Sequence, residues 1–123
     1  MKDIVYQPIL MLKMGAGTAS FYKFYDLVNG KKSVVYENII FLYHDKILYT
    51  DLIEDEWHLI LSSIFDNTVY SETTIDLASA TGCVEKAVFD EIHLSVFVTY
   101  ISEENYKEKQ ISIPLNLLEE GGL

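Results

Sequence analysis

The clearest signal along the chain is the alternation over residues 93–101, where Leu94, Val96, Val98 and Tyr100 face one way and Ser95 and Thr99 the other. A period of two predicts a half-buried strand. A partner strand follows over 110–117, with Ile111, Ile113 and Leu115 on one face and Pro114, which cannot donate to a ladder, marking a sheet edge. The charged segment 103–108 joins the two as a loop. Earlier, residues 69–77 alternate in the same way. Two further β-rich pairs flank short polar turns: 21–28 and 33–36 around Asn29-Gly30, and 39–43 and 46–50 around His44-Asp45. Asn-Gly tolerates the positive φ of a tight hairpin, although a helix over 18–28 capped by Gly30 competes for the first pair. Residues 4–13 predict one more strand, placed at an edge or broken locally by Pro8, and the small residues 14–19 predict a loop.

Two stretches carry a helical period instead. Asp51 with Glu54 three residues later resembles a capping box, and Ile53, Trp57, Ile60, Leu61 and Ile64 follow at helical spacing until Asp66-Asn67. Trp57 is the expected anchor of that buried stripe. A shorter helix fits residues 82–92, with Val84, Ala87, Val88 and Ile92 along one side. These elements add up to a single α+β domain over residues 1–123: a largely antiparallel sheet of six or seven strands with two helices on one face and a frayed tail at 119–123.

Composition then narrows the partners. The chain carries 9 cations, all lysine, against 19 acids, a formal net charge of −10. Phosphate backbones and base edges are gripped by clustered Lys and Arg, so direct nucleic-acid binding is not expected. No stretch approaches the roughly 20 apolar residues of a membrane-spanning helix. Lys2 ahead of the apolar run 4–12 invites comparison with a signal peptide, but Asp3, Gln7, Pro8 and Lys13 interrupt that pattern. The single Cys83 cannot form an internal disulfide, which fits a reducing, cytoplasmic setting.

Candidate chemistry is sparse, and no cofactor is implied. The loop Gly15-Ala16-Gly17-Thr18 lacks the third glycine of a dinucleotide fingerprint and the Lys-Ser/Thr of a phosphate loop. His44, His58 and His93 are the available general acids or bases. On the expected helix, His58 falls four residues after Glu54 and could share a metal with it, which defines an alternative: a small hydrolase or metal-dependent enzyme. Cys83, among Val84, Ala87 and Val88, is expected as a small buried side chain, and Ser62-Ser63 lacks the glycine-flanked elbow of a nucleophile.

The acids are more informative because they are clustered. Asp51, Glu54, Asp55 and Glu56 crowd one place in the chain, Glu103, Glu104 and Glu108 another, and Glu119-Glu120 the tail. Nine tyrosines, Tyr106 beside the second cluster, supply amphipathic contact area of the kind favoured at interface hot spots. Acid plus tyrosine suits docking onto a basic protein. In this profile the chain resembles, as a class, the immunity proteins that neutralise bacterial toxins: small, acidic, tyrosine-containing and free of catalytic motifs. That resemblance implies a non-enzymatic inhibitor of a basic partner, most directly a toxin nuclease. The expected partner-binding residues are Asp51, Glu54, Asp55, Glu56, Glu103, Glu104, Tyr106 and Glu108. A phage-type inhibitor of nucleic-acid machinery resembles the profile equally, and an oligomeric scaffold subunit held by exposed strand edges is the remaining alternative.

Overall fold

In the computed structural model, which describes residues 2–6, 9–16, 19–66, 68–79 and 81–115, strand follows strand and each pairs antiparallel with its neighbour in sequence. The first sheet contains β1 (Lys2–Tyr6), β2 (Ile9–Ala16) and β3 (Ala19–Asp26). The second contains β4 (Ile39–Tyr43), β5 (Lys46–Ile53), β6 (Glu56–Ser63) and β7 (Val69–Ile75), and the third β8 (Lys86–Asp90), β9 (Ser95–Ile101) and β10 (Glu108–Pro114). Each sheet is thus a meander of consecutive hairpins.

The fold is all-β, and this corrects the α+β expectation: ten strands replace six or seven, and no helix occurs among the described residues. The expected helix beginning at Asp51 is the β5–β6 hairpin, paired from Lys46↔Ser63 to Ile53↔Glu56. Its turn residues Glu54 and Asp55 both adopt positive φ, 51° and 67°, so an acidic pair fills the two-residue turn where Asn-Gly is the common choice. The expected helix over 82–92 is an irregular segment followed by β8. Its neighbour β9 takes Ala87 and Phe89 opposite Val98 and Val96, so the spacing is a strand's. Residues 4–6 and 9–13 lie in two strands, β1 and β2, and 14–16 and 19 continue the β2–β3 pairing to Ala16↔Ala19 in place of the expected loop. Pro8, Gly17, Thr18, Asn67 and the tail 119–123 lie outside the described residues.

Strands form near the expected 21–28, 39–43, 46–50, 69–77, 93–101 and 110–117, but the expected strand 33–36 is irregular and meets β3 at an isolated bridge. The chain turns at Gly30, with φ of 72°, and residues 32–36 run back along β3 through bridges at Tyr25↔Lys32 and Tyr22↔Tyr36. His44 at φ 54° makes the β4–β5 turn, and β9 and β10 pair from Glu108↔Ile101 to Pro114↔Ser95, with β10 at the sheet edge.

Side chains from the two faces of the second sheet enter two different cores. Ile47 and Ile64 meet Ile9, Phe24 and Tyr36 of the first sheet and its return segment. Leu48, Leu59, Leu61, Ile75 and Leu77 meet Val96, Val98, Tyr100, Ile113 and Leu115 of the third. The second sheet is therefore the middle layer of three. Main-chain bonds join it to the third sheet: Leu77 bridges Ser102, and Glu103 donates its N–H to the Asp76 carbonyl at 2.6 Å.

Candidate functional site

The path of β7 brings the two acidic clusters together. Ile75 pairs with Trp57 at the start of β6, immediately after the Glu54-Asp55 tip. Two residues later Leu77 bridges Ser102, where the β9–β10 turn begins. Both hairpin tips therefore flank the end of one strand. The result is a shallow cleft of about 470 Å³ lined by Asp55, Glu103 and Tyr106 on its rim, with Trp57, Leu77 and Ser79 among the residues between them.

The second tip is held rigidly for a turn of its length. Tyr106 donates its N–H to the Ser102 carbonyl at 2.8 Å, Ser102 in turn donates to the Lys107 carbonyl at 2.9 Å, and the Ser102 hydroxyl accepts from Glu104 N–H at 3.2 Å. Tyr106 has positive φ, 54°, and its ring is 74% exposed. Behind the turn, Asp76 accepts from the Ser102 hydroxyl, from Lys109 Nζ at 3.0 Å and from the Tyr100 hydroxyl at 3.2 Å. The Ser102 and Lys109 hydrogen bonds pull its carboxyl down to about 2, well below the ordinary carboxylate range.

Trp57 forms the wall between this cleft and a larger one. Its Nε1–H donates to the Ser79 carbonyl at 3.0 Å, and the loop that carries Ser79 closes over the indole. The Ser79 hydroxyl accepts the N–H groups of Thr81, Gly82 and Cys83 at 3.1 to 3.2 Å. Gly82, at φ 84°, lies so close that a Cβ there would sit 2.6 Å from the ring. On the far side of Trp57 a groove of about 950 Å³ runs along β5 between the middle sheet and the return segment, lined by Val35, Glu37, Tyr49, Asp51 and Leu52 among others.

Of the residues expected to bind a partner, Asp55, Glu103 and Tyr106 share the smaller cleft, while Asp51 lines the larger groove. Glu54 and Glu56 are exposed beside Asp55, and Glu104 and Glu108 are exposed in and after the second turn. The Asp51–Glu56 acids do not sit at a helix start, so no helix dipole accounts for them. Two contributors were not expected: Asp76, which reads in sequence as one more polar strand residue, and the Ser79-to-Gly82 loop, whose only signal is its small, turn-prone composition.

The candidate chemical residues are placed differently from expectation. Glu54 is at a hairpin tip and His58 is on the strand, where it bonds Glu72 across the sheet at 2.8 Å, so the helical i, i+4 pairing does not exist. His93 bonds back to Asp90 at 2.7 Å, an acid that precedes it. His44 stands edge-on to the Tyr43 ring at 4.4 Å. Cys83, expected to be buried, is exposed, with Thr81 donating to its sulfur at 3.3 Å. Among the described residues no group of three or more His, Cys, Asp or Glu side chains is arranged to hold a metal ion, and no helix is long and apolar enough to cross a membrane. Neither a protein-family model, nor a curated protein, nor a solved structure matches the chain.

Proposed function

We propose that the chain is a non-catalytic, cytoplasmic inhibitor that docks onto a basic protein, with a toxin nuclease as the target class. The observation that carries this reading is the convergence of two acidic hairpin tips, distant in sequence, on one cleft lined by Trp57, Asp55, Glu103 and the exposed Tyr106. Scattered acids serve solubility; acids gathered around exposed aromatic surface supply both a field that attracts a cationic partner and an anchor that holds it. The net charge of −10 and the absence of arginine mean that the partner brings the cations. A target with a cationic active site is inhibited simply by being covered.

The test is association kinetics with the product of the adjacent reading frame, followed across salt concentration. Association should slow by about tenfold or more between low and physiological ionic strength, because surface charges are screened over roughly 8 to 10 Å there. The paired variant Asp55→Lys with Glu103→Lys should slow association by a similar factor at low salt and change dissociation far less. A binding rate that ignored both salt and the paired variant would rule the reading out.

A further inference from the structure

The larger groove has a feature that acidity alone does not explain: an open strand edge. Thr50 donates its N–H to the Asn38 carbonyl at 3.4 Å, so its main-chain groups face away from β6 and toward β4. Main-chain groups alternate sides along a strand, so Leu52 presents its N–H and C=O to that same side. The hairpin register agrees: Asp51↔His58 and Ile53↔Glu56 are the pairs that bond toward β6, and Leu52 lies between them. β4 begins only at Ile39 and its pairing with β5 stops at Tyr49, so among the described residues no strand lies alongside Leu52.

The opposite wall of the groove is open in the same sense. Tyr36 exchanges two main-chain bonds with Tyr22, at 2.8 and 2.9 Å, which turns the N–H and C=O of Val35 away from β3 and into the gap. Val35 and Leu52 are 50% and 52% exposed, apolar residues lining one groove, and among the described residues neither has a main-chain partner on that side. Such edges are templates for another strand, and proteins ordinarily cover, twist or charge them. Here the charged side chains that line the groove are Glu37 and Asp51, both acidic.

From this geometry we infer that the groove accepts an extended segment of the basic partner, added as a strand along β5 at Leu52 with its lysine or arginine side chains reaching Glu37 and Asp51. Main-chain hydrogen bonds to Leu52 and Val35 supply affinity that is indifferent to sequence, and the acidic and apolar walls select alternating cationic and apolar residues. This rests on the reading of the protein as a binder of a basic partner, and it specifies how part of that partner is held. The acidic tips then serve first encounter, and the groove serves retention.

Cys83 provides a built-in reporter, because it is the single cysteine of the chain, is exposed and lines the groove. The probe is a capped ten-residue peptide of alternating Lys and Val, added to the full chain while iodoacetamide alkylates Cys83. At about ten times its Kd, the peptide should slow alkylation about tenfold. The same peptide N-methylated at every residue keeps its side chains and charge but has no backbone donors, and it should not protect; nor should a Glu-Val peptide. Glu37→Lys should weaken the Lys-Val peptide and leave the fold unchanged. Equal protection by the N-methylated peptide, absence of binding, or binding seen by Trp57 fluorescence without protection of Cys83 would each overturn strand addition. None of those results touches the charge reversal at Asp55 and Glu103, so failure of the groove and failure of the acidic tips are told apart.

Discussion

The middle and last sheets are built by the same rule, consecutive antiparallel hairpins, yet they write opposite patterns into the chain. In β5 the adjacent residues Ile47 and Leu48 are both fully buried, one in each core, because this sheet is covered on both faces. In the last sheet Val96 and Val98 enter the apolar core, while the opposite face holds the small polar Ser95 and Thr99, buried on β9, beside Val88, half exposed, and the exposed Gln110 and Ser112. A strand with an apolar core on each face reads as a continuous apolar run; one with an apolar core on a single face alternates. The difference shows that alternation reports how many faces carry an apolar core, and that its loss does not mean a helix.

The largest effects should separate these two sheets. Ile47→Ala and Leu48→Ala should each cost about 3 kcal/mol, since each removes a fully buried side chain from a separate core. Val88→Ala should stay within about 0.5 kcal/mol, being a change at an exposed position of the edge strand β8. Urea unfolding of the three variants is the measurement. If either Ile47→Ala or Leu48→Ala cost less than about 1 kcal/mol, the middle sheet would not be packed on both faces.

The same contrast explains what could be read from the sequence. The alternation of β9 located its strand, and Asn29-Gly30 and His44-Asp45 located chain reversals, because each depends on local rules of periodicity and φ. In sequence β6 reads as a helix because Trp57, Ile60, Leu61 and Ile64 satisfy a 3.6 period, while the strand needs Leu59 and Ser63 as well, all buried or half-buried. Two buried faces fill every position, and a filled pattern contains any period one looks for. The Glu54-Asp55 turn is hard to read as well: Asp accepts positive φ readily, but Glu at the first turn position seldom does. Acidic clustering was visible along the chain, but the convergence of its two halves depends on where β7 ends, a long-range fact. The groove was invisible for the same reason: it exists because β4 starts late relative to β5.

A middling effect is expected where the loop after β7 closes on Trp57 of the middle sheet. Gly82→Ala adds a Cβ against the Trp57 ring at a backbone angle that L residues avoid, and should cost about 2 kcal/mol. Gly30→Ala, at φ 72° with nothing within 4 Å, meets only the backbone penalty and should cost about 1 kcal/mol. The two glycines therefore distinguish strain from collision. Trp57 fluorescence should shift in the Gly82 variant and stay put in the Gly30 variant; equal costs with an unmoved spectrum would show that the loop does not close on the indole.

The smallest effect lies at the joint between the compared sheets. Asp76 follows β7 and is held by Ser102, Lys109 and Tyr100 of the last sheet and its turn. Its carboxyl is pulled to about 2, so the folded state favours the ionised form more than the unfolded chain does, where an aspartate titrates at about 4. A carboxyl depressed by folding stabilises at every pH above its unfolded value, and that contribution disappears as pH falls through the folded one. The group is open to solvent, which keeps the contribution modest. The protein should therefore exceed its Asp76→Asn variant in stability by a constant margin from pH 7 to about 5, and the margin should shrink between pH of about 4 and about 2. Urea midpoints of the pair across that range measure it, and the variant cancels the titration of the other acids. A margin that persisted unchanged at pH of about 2 would mean that Asp76 joins the sheets by shape, with its charge irrelevant.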